Sequence, residues 1–118
     1  MLEPLFAYLE IAQKQYEDLA YQGYYNVGPD ECDCVTTGEL VTLFCDLWGD
    51  GASWVNQHDG GPHEANFLKL DCSKLKKTFG WKPHWHIQDA IEKTIVWSKA
   101  YLAGEDMRQV MDQQIEAY

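Results

Sequence analysis

Side chains able to do chemistry gather in two stretches of this 118-residue chain. Between Gln57 and Asn66 the sequence carries His58, Asp59, His63 and Glu64 among two glycines and a proline, which makes it the most polar and irregular segment. Earlier, Cys32-x-Cys34 places two thiols in an acidic loop from Asp30 to Val35. Together with His58, His63, His84 and His86 these thiols are zinc-type donors. The single residue between them, however, is shorter than the gap of about two to four that lets two thiolates share one tetrahedral ion. His84-x-His86 alternates as a strand would and could chelate, but His86 also falls at the N-cap position of a long helix. No metal is expected.

These residues need elements to position them. The segment from Gly60 to Tyr101 organises the chain: a polar loop, a short apolar run ending at Asp71, a short helix over Cys72 to Phe79, a stop at Gly80-Trp81-Lys82-Pro83, and a long amphipathic helix. Asp71 is the expected N-cap of the short helix, its carboxylate taking the free amides of Ser73 and Lys74. Gly80 supplies the left-handed residue that ends that helix, and Pro83 forbids its resumption. Ile87, Ala90, Ile91, Thr94, Ile95, Ser98 and Leu102 then recur at helical spacing, which predicts one buried stripe.

Upstream, Leu2 to Ala20 reads as an amphipathic helix with Leu2, Leu5, Phe6, Leu9, Ala12 and Tyr16 inward and Pro4 in its first turn. It opens with almost no polar lead-in, so residues are expected before it. Tyr24 to Gly28 is aromatic and β-branched, and Ser53 to Asn56 has a similar pattern, so each is expected to be a short strand. Thr36-Thr37-Gly38-Glu39 is a capping box for a helix that turns Leu40, Leu43, Phe44, Leu47 and Trp48 inward and stops at Gly49-Asp50-Gly51. A last helix, from about Glu105 to Tyr118, buries Met107, Val110, Met111 and Ile115. The expected fold class is α+β and mostly helical, four to five helices with short strands, in a single domain over residues 1 to 118.

Composition narrows the functions available. Nine basic against nineteen acidic residues leave a net charge of −10, which argues against binding nucleic acid or an anionic membrane by charge. Arg108 is the one arginine in the chain, so a phosphate grip by guanidinium forks is not built into this stretch. No apolar run approaches the roughly 20 residues of a membrane span, and no basic leader precedes MLEPLFAYLE. Four cysteines at 32, 34, 45 and 72 do not make a disulfide framework, and reduced thiols point to the cytoplasm.

Asp-x-Ser-Lys at Asp71 to Lys74, a short helix, Gly-Trp-x-Pro at Gly80 to Pro83 and an amphipathic helix together resemble the C-terminal end of the extended short-chain dehydrogenase/reductase superfamily, in its nucleotide-sugar branch. Further words narrow the resemblance: LEPLFAYL from Leu2, YYNVGPDE from Tyr24, LWGDGASW from Leu47, PHEANFLKLD from Pro62, and QIEAY from Gln114. In that order they resemble the CDP-glucose 4,6-dehydratase family over nearly the whole chain. The resemblance implies a C-terminal substrate-binding domain, with a nucleotide sugar such as CDP-glucose held jointly with an NAD-binding Rossmann domain that lies upstream. It also implies a loop against the nucleotide diphosphate just before the Asp-x-Ser-Lys helix, which puts His63 and Glu64 there as substrate-binding residues. The arginine usual in that loop is missing. An imidazole can donate to phosphate or a ribose hydroxyl, and a carboxylate can accept from sugar hydroxyls. Asn26 falls in the word resembling the strand beneath the pocket, where its amide either orients the neighbouring loop or turns the strand into Gly28-Pro29. Lys69 and Lys74 could bring positive charge to the same place.

What such an enzyme needs for its redox step is absent from this stretch. The nine glycines never give the fingerprint that lets backbone amides approach a dinucleotide pyrophosphate. No tyrosine is followed four residues on by the lysine that would lower its phenol pKa for proton transfer. The expectation is therefore no catalytic residue and no cofactor site in these 118 residues, with NAD bound by the full-length enzyme, which can be dimeric. Trp81, Trp85 and Trp97 could stack a base or plug the seam between helices. Two alternatives stay open: a stand-alone, non-catalytic interaction domain, and the same domain of a dehydratase or epimerase acting on another nucleotide sugar.

Overall fold

The computed structural model describes residues 2–57 and 69–118. Five α-helices follow in order: α1 Leu2–Glu17, α2 Thr37–Trp48, α3 Ser73–Phe79, α4 Ile87–Ala103 and α5 Met107–Glu116. Two short 3-10 turns, Leu19–Tyr21 and Glu31–Asp33, lie between α1 and α2.

The helix boundaries follow local chemistry. At α2 the Thr36 amide donates to Glu39 Oε2 at 2.8 Å while the Glu39 amide donates to Thr36 Oγ1 at 3.3 Å, the reciprocal box expected there. Asp71 Oδ1 accepts from the Ser73 amide at 2.9 Å, the one of its two expected amide contacts that forms; the helix begins one residue later than predicted, with Cys72 at the N-cap position. Gly80 ends α3 at φ 70 and ψ 14, a left-handed conformation open to glycine without a Cβ clash. α1 stops at Glu17 and not Ala20, because the Asp18 side chain accepts the Ala20 amide at 2.8 Å and starts a separate turn.

The core forms where α1 crosses the start of the second half. Ala7, Leu75 and Trp81 are fully or almost fully buried, with Ile11, Tyr25, Val27 and Phe79 packed around them. Tyr21 and Tyr25 pack on the Phe79 ring at centroid distances of 5.4 and 5.0 Å. A second seam runs along α4, which packs against α2 on one side and α5 on the other, burying Ile95, Ala100 and Val110. Of the stripe predicted for α4, Ile95 is buried, Ile87, Ala90, Ile91 and Ser98 are half-buried, and Thr94 and Leu102 face solvent. The helix period was legible while its phase on α1 was not: Leu5, Leu9, Ala12 and Tyr16 are exposed, and Ala7 and Ile11 point inward instead. A small Ala7 lets the α1 backbone approach Leu75 and Trp81 closely, and a larger residue there would hold the helix off.

The α+β expectation is corrected. Among the described residues the fold is all helical, with no strand and no sheet. Tyr24 to Gly28 does run beside Leu70 to Cys72, but through the Asn26 side chain and the packing of Gly28 on Leu70 and Cys72. A ladder needs backbone donors, and Pro29 has none to give, so the two segments meet through side chains. Ser53 to Asn56 has no neighbouring chain to pair with among the described residues. Trp54 pins it to α2 instead, with Nε1 donating to Thr42 Oγ1 at 3.1 Å and the ring against Gly38.

Candidate functional site

Two hollows meet at Pro29, on either side of the turn that follows Tyr24 to Gly28. The first, of about 390 Å³, is polar and is walled by Pro29, Glu31, Lys69 to Ser73 and Lys76. The second, of about 320 Å³, is mostly apolar and lies between the start of α1 and the start of α4, against Val27, Trp81, Pro83 and Trp85. Both fall at the lower end of the roughly 300–1,000 Å³ range of small-ligand pockets.

Asn26 belongs to the polar side. Its amide donates to the Asp71 carbonyl at 3.1 Å, which ties the residues before the turn to the start of α3. That is an orienting contact, and the residue is itself exposed. His63 and Glu64 lie outside the described residues; the description resumes at Lys69, which lines this hollow. Lys69 pairs with Glu31 and Lys76 pairs with Asp30, so both ammonium groups are already matched by carboxylates. Each partnership raises the lysine above its ordinary value. Lys74 turns elsewhere and sits over the Tyr25 ring, 4.8 Å from its centroid. A ligand phosphate reaching Lys69 or Lys76 therefore has to displace a carboxylate.

The apolar hollow is framed by contacts that local reading of the sequence missed. Glu3 Oε1 accepts the amides of His84 and Trp85 at 2.9 and 2.7 Å, fastening the first turn of α1 to the segment before α4. Asp33, only 8% exposed, accepts the Ile87 amide at 3.0 Å through Oδ1 and faces His86 Nδ1 at 2.8 Å through Oδ2. It thus caps α4 from a different part of the chain. Burial pushes the Asp33 carboxyl up, but the hydrogen bonds from Ile87 and His86 outweigh it and hold the group below its ordinary value. The hydrogen bond and charge of Asp33 in turn raise His86. Trp81 Nε1 is a buried polar atom beside this hollow with no protein partner among the described residues, while Tyr118 lies against the Glu3 carboxylate. A single donor against an apolar wall suits a neutral hydrogen-bond acceptor.

Of the three tryptophans that could stack a base, Trp81 is core and Trp85 packs edge-on against Tyr118 at 5.0 Å. Trp97 stacks on Tyr101 at 5.5 Å. All four cysteines are free. No helix among the described residues is long and apolar enough to cross a membrane.

The arrangement is an all-helical fold among the described residues, with two hollows that meet at Pro29. No family model matches the chain. Comparison with characterised proteins gives a relative that is a dehydratase: the chain is 39% identical over 119 aligned positions to a protein of Salmonella typhimurium named CDP-glucose 4,6-dehydratase. The alignment takes in all of this chain and 33% of that protein, so the chain spans about a third of its relative's length.

Proposed function

We infer that the chain is the nucleotide-sugar-binding part of a CDP-glucose 4,6-dehydratase. The full enzyme oxidises C4 of the glucose with bound NAD, loses water across C5 and C6, and returns the hydride to C6, giving CDP-4-keto-6-deoxyglucose. The redox and acid/base groups for those steps belong to the other two thirds of the protein, the Rossmann domain included. This part supplies pocket wall: Asn26 holds the start of α3 in place, and His63 and Glu64 are the residues assigned to the diphosphate and sugar. The observation that carries the reading is sequence identity of 39% across the entire chain.

The apolar hollow offers a second region of contact for uncharged parts of the substrate. Purified alone, the 118-residue chain is expected to bind no NAD and to form no 4-keto sugar from CDP-glucose. Turnover by this chain in the presence of NAD would overturn the reading.

A rival reading, a stand-alone interaction domain, draws on the outward apolar face of α1, where Leu9 is 71% and Tyr16 93% exposed. The two readings separate on ligand response. Titration of the full-length protein with CDP, dTDP and GDP, followed by tryptophan fluorescence, is expected to show the strongest response to CDP. An interaction domain would answer to none of the three.

A further inference from the structure

The turn Glu31–Asp33 and the N-terminus of α4 bring three different metal-ligand types to one point, although they are far apart in sequence. Cys32 Sγ, an Asp33 carboxylate oxygen and a His86 ring nitrogen all lie within 4.8 Å of one another. Cys34, the thiol that the sequence pairs with Cys32, turns away and donates to the Asp30 carbonyl at 3.4 Å. The spacing of Cys32 and Cys34 argues against a two-thiol site and no metal is expected from the sequence, whereas the fold brings together one thiol, one carboxylate and one imidazole.

We propose that Cys32, Asp33 and His86 form a binding site for a zinc-type divalent transition-metal ion, with its fourth position open to water. Two of the three donor-to-donor distances are close to those a tetrahedral ion requires, and Cys32 Sγ and the His86 ring, within 4.8 Å of each other, are the pair that draws together. Metal-to-ligand bonds of about 2.0–2.3 Å put neighbouring donor atoms roughly 3.3–3.6 Å apart. Cys32 Sγ to Asp33 Oδ2 is 3.8 Å and needs almost no movement. His86 Nδ1 to Asp33 Oδ2 is 2.8 Å, a hydrogen bond whose shared proton the ion replaces, and this pair opens by about half an ångström.

The surroundings favour the ion. Asp33 Oδ1 keeps its hydrogen bond from the Ile87 amide while Oδ2 ligates, so the ligand oxygen is aimed by an outer-shell contact. Asp30 and Asp89 add negative charge around His86. Lys76 is the cation near Cys32, and its charge is engaged by Asp30. Cys32 and the His86 ring are exposed, which gives the ion a way in, while Asp33 is buried and supplies the fixed member. Bound there, the ion would clip the Glu31–Asp33 turn to the start of α4 and leave one coordination position facing solvent.

Cobalt(II), added to the reduced 118-residue protein, reads the site out directly. One equivalent should bring in a thiolate-to-metal charge-transfer band in the near ultraviolet and tetrahedral ligand-field bands in the visible, both removed by one equivalent of zinc. Cys32→Ser should abolish the charge-transfer band, and Cys34→Ser should leave it unchanged. His86→Gln should weaken cobalt binding at least tenfold, with helical circular dichroism of the metal-free variant confirming that it folds. If His86→Gln fails to fold, the two serine variants decide. Absence of the band in the unaltered protein, or its persistence in Cys32→Ser, overturns the site.

Discussion

Glu39 and Asp71 hold the first turns of α2 and α3 by accepting amide hydrogens, and both are kept below their ordinary values by those bonds. For Glu39 the main cause is the Thr36 amide, and for Asp71 it is the Ser73 side chain. A carboxylate whose folded pKa is depressed contributes stability that is present above its unfolded pKa and lost as pH falls through the folded one. The unfolded values are near 4.5 and 3.8, so the loss belongs to acid solution below them and not to neutral pH. Urea midpoints measured from about pH 6 down to about pH 3 should therefore fall less steeply in a Glu39→Gln, Asp71→Asn double variant than in the parent. Parallel curves would show that neither cap is linked to protonation. These two caps were legible because donor and acceptor sit two or three residues apart. Asp33 was not, since His86 lies 53 residues away and nothing in an acidic loop marks which carboxylate will be buried. Glu3 escaped for the same reason, its partner amide at Trp85 being 82 residues distant.

Helix α3 shows how an element too short to stand alone is held. Its seven residues fall well below the roughly 12–15 at which an isolated helix becomes marginal in water, so tertiary packing has to fix it. Leu75 supplies that packing at 1% exposure, against Ala7 of α1 and Trp81 beyond the Gly80 stop. Leu75→Ala is expected to cost about 2–5 kcal/mol in equilibrium urea unfolding, with the slope unchanged. A cost under about 1 kcal/mol would mean that the site collapses around the change, or that α3 is held by other contacts. Existence and order of all five helices could be read from capping residues and period. The strands could not be, because an aromatic, β-branched run becomes a strand only with a partner of free backbone groups. Pro29, at the end of the run from Tyr24, has no amide to give. An orienting role for the Asn26 amide was legible, and it reaches the Asp71 carbonyl before α3, while the apolar hollow depends on residues far apart in sequence and has no local signature.

At the scale of the molecule, little of the apolar surface is put away. The radius of gyration is 17.6 Å, where a compact chain of this length would have roughly 13–14 Å. Leu5, Tyr8, Leu9 and Tyr16 line an exposed face of α1, and the buried apolar core among the described residues is confined to Ala7, Cys72, Leu75, Trp81, Ile95, Ala100 and Val110. Large exposed apolar patches mark surfaces meant for another partner. The proposed partner is the remaining two thirds of the dehydratase, and a chimera tests this directly. The matching third of the Salmonella typhimurium protein is replaced by these 118 residues, and conversion of CDP-glucose to the 4-keto-6-deoxy product is measured with NAD. The chimera should turn over CDP-glucose, and the 118-residue chain alone should not. A folded chimera that neither binds CDP nor forms product would contradict the assignment.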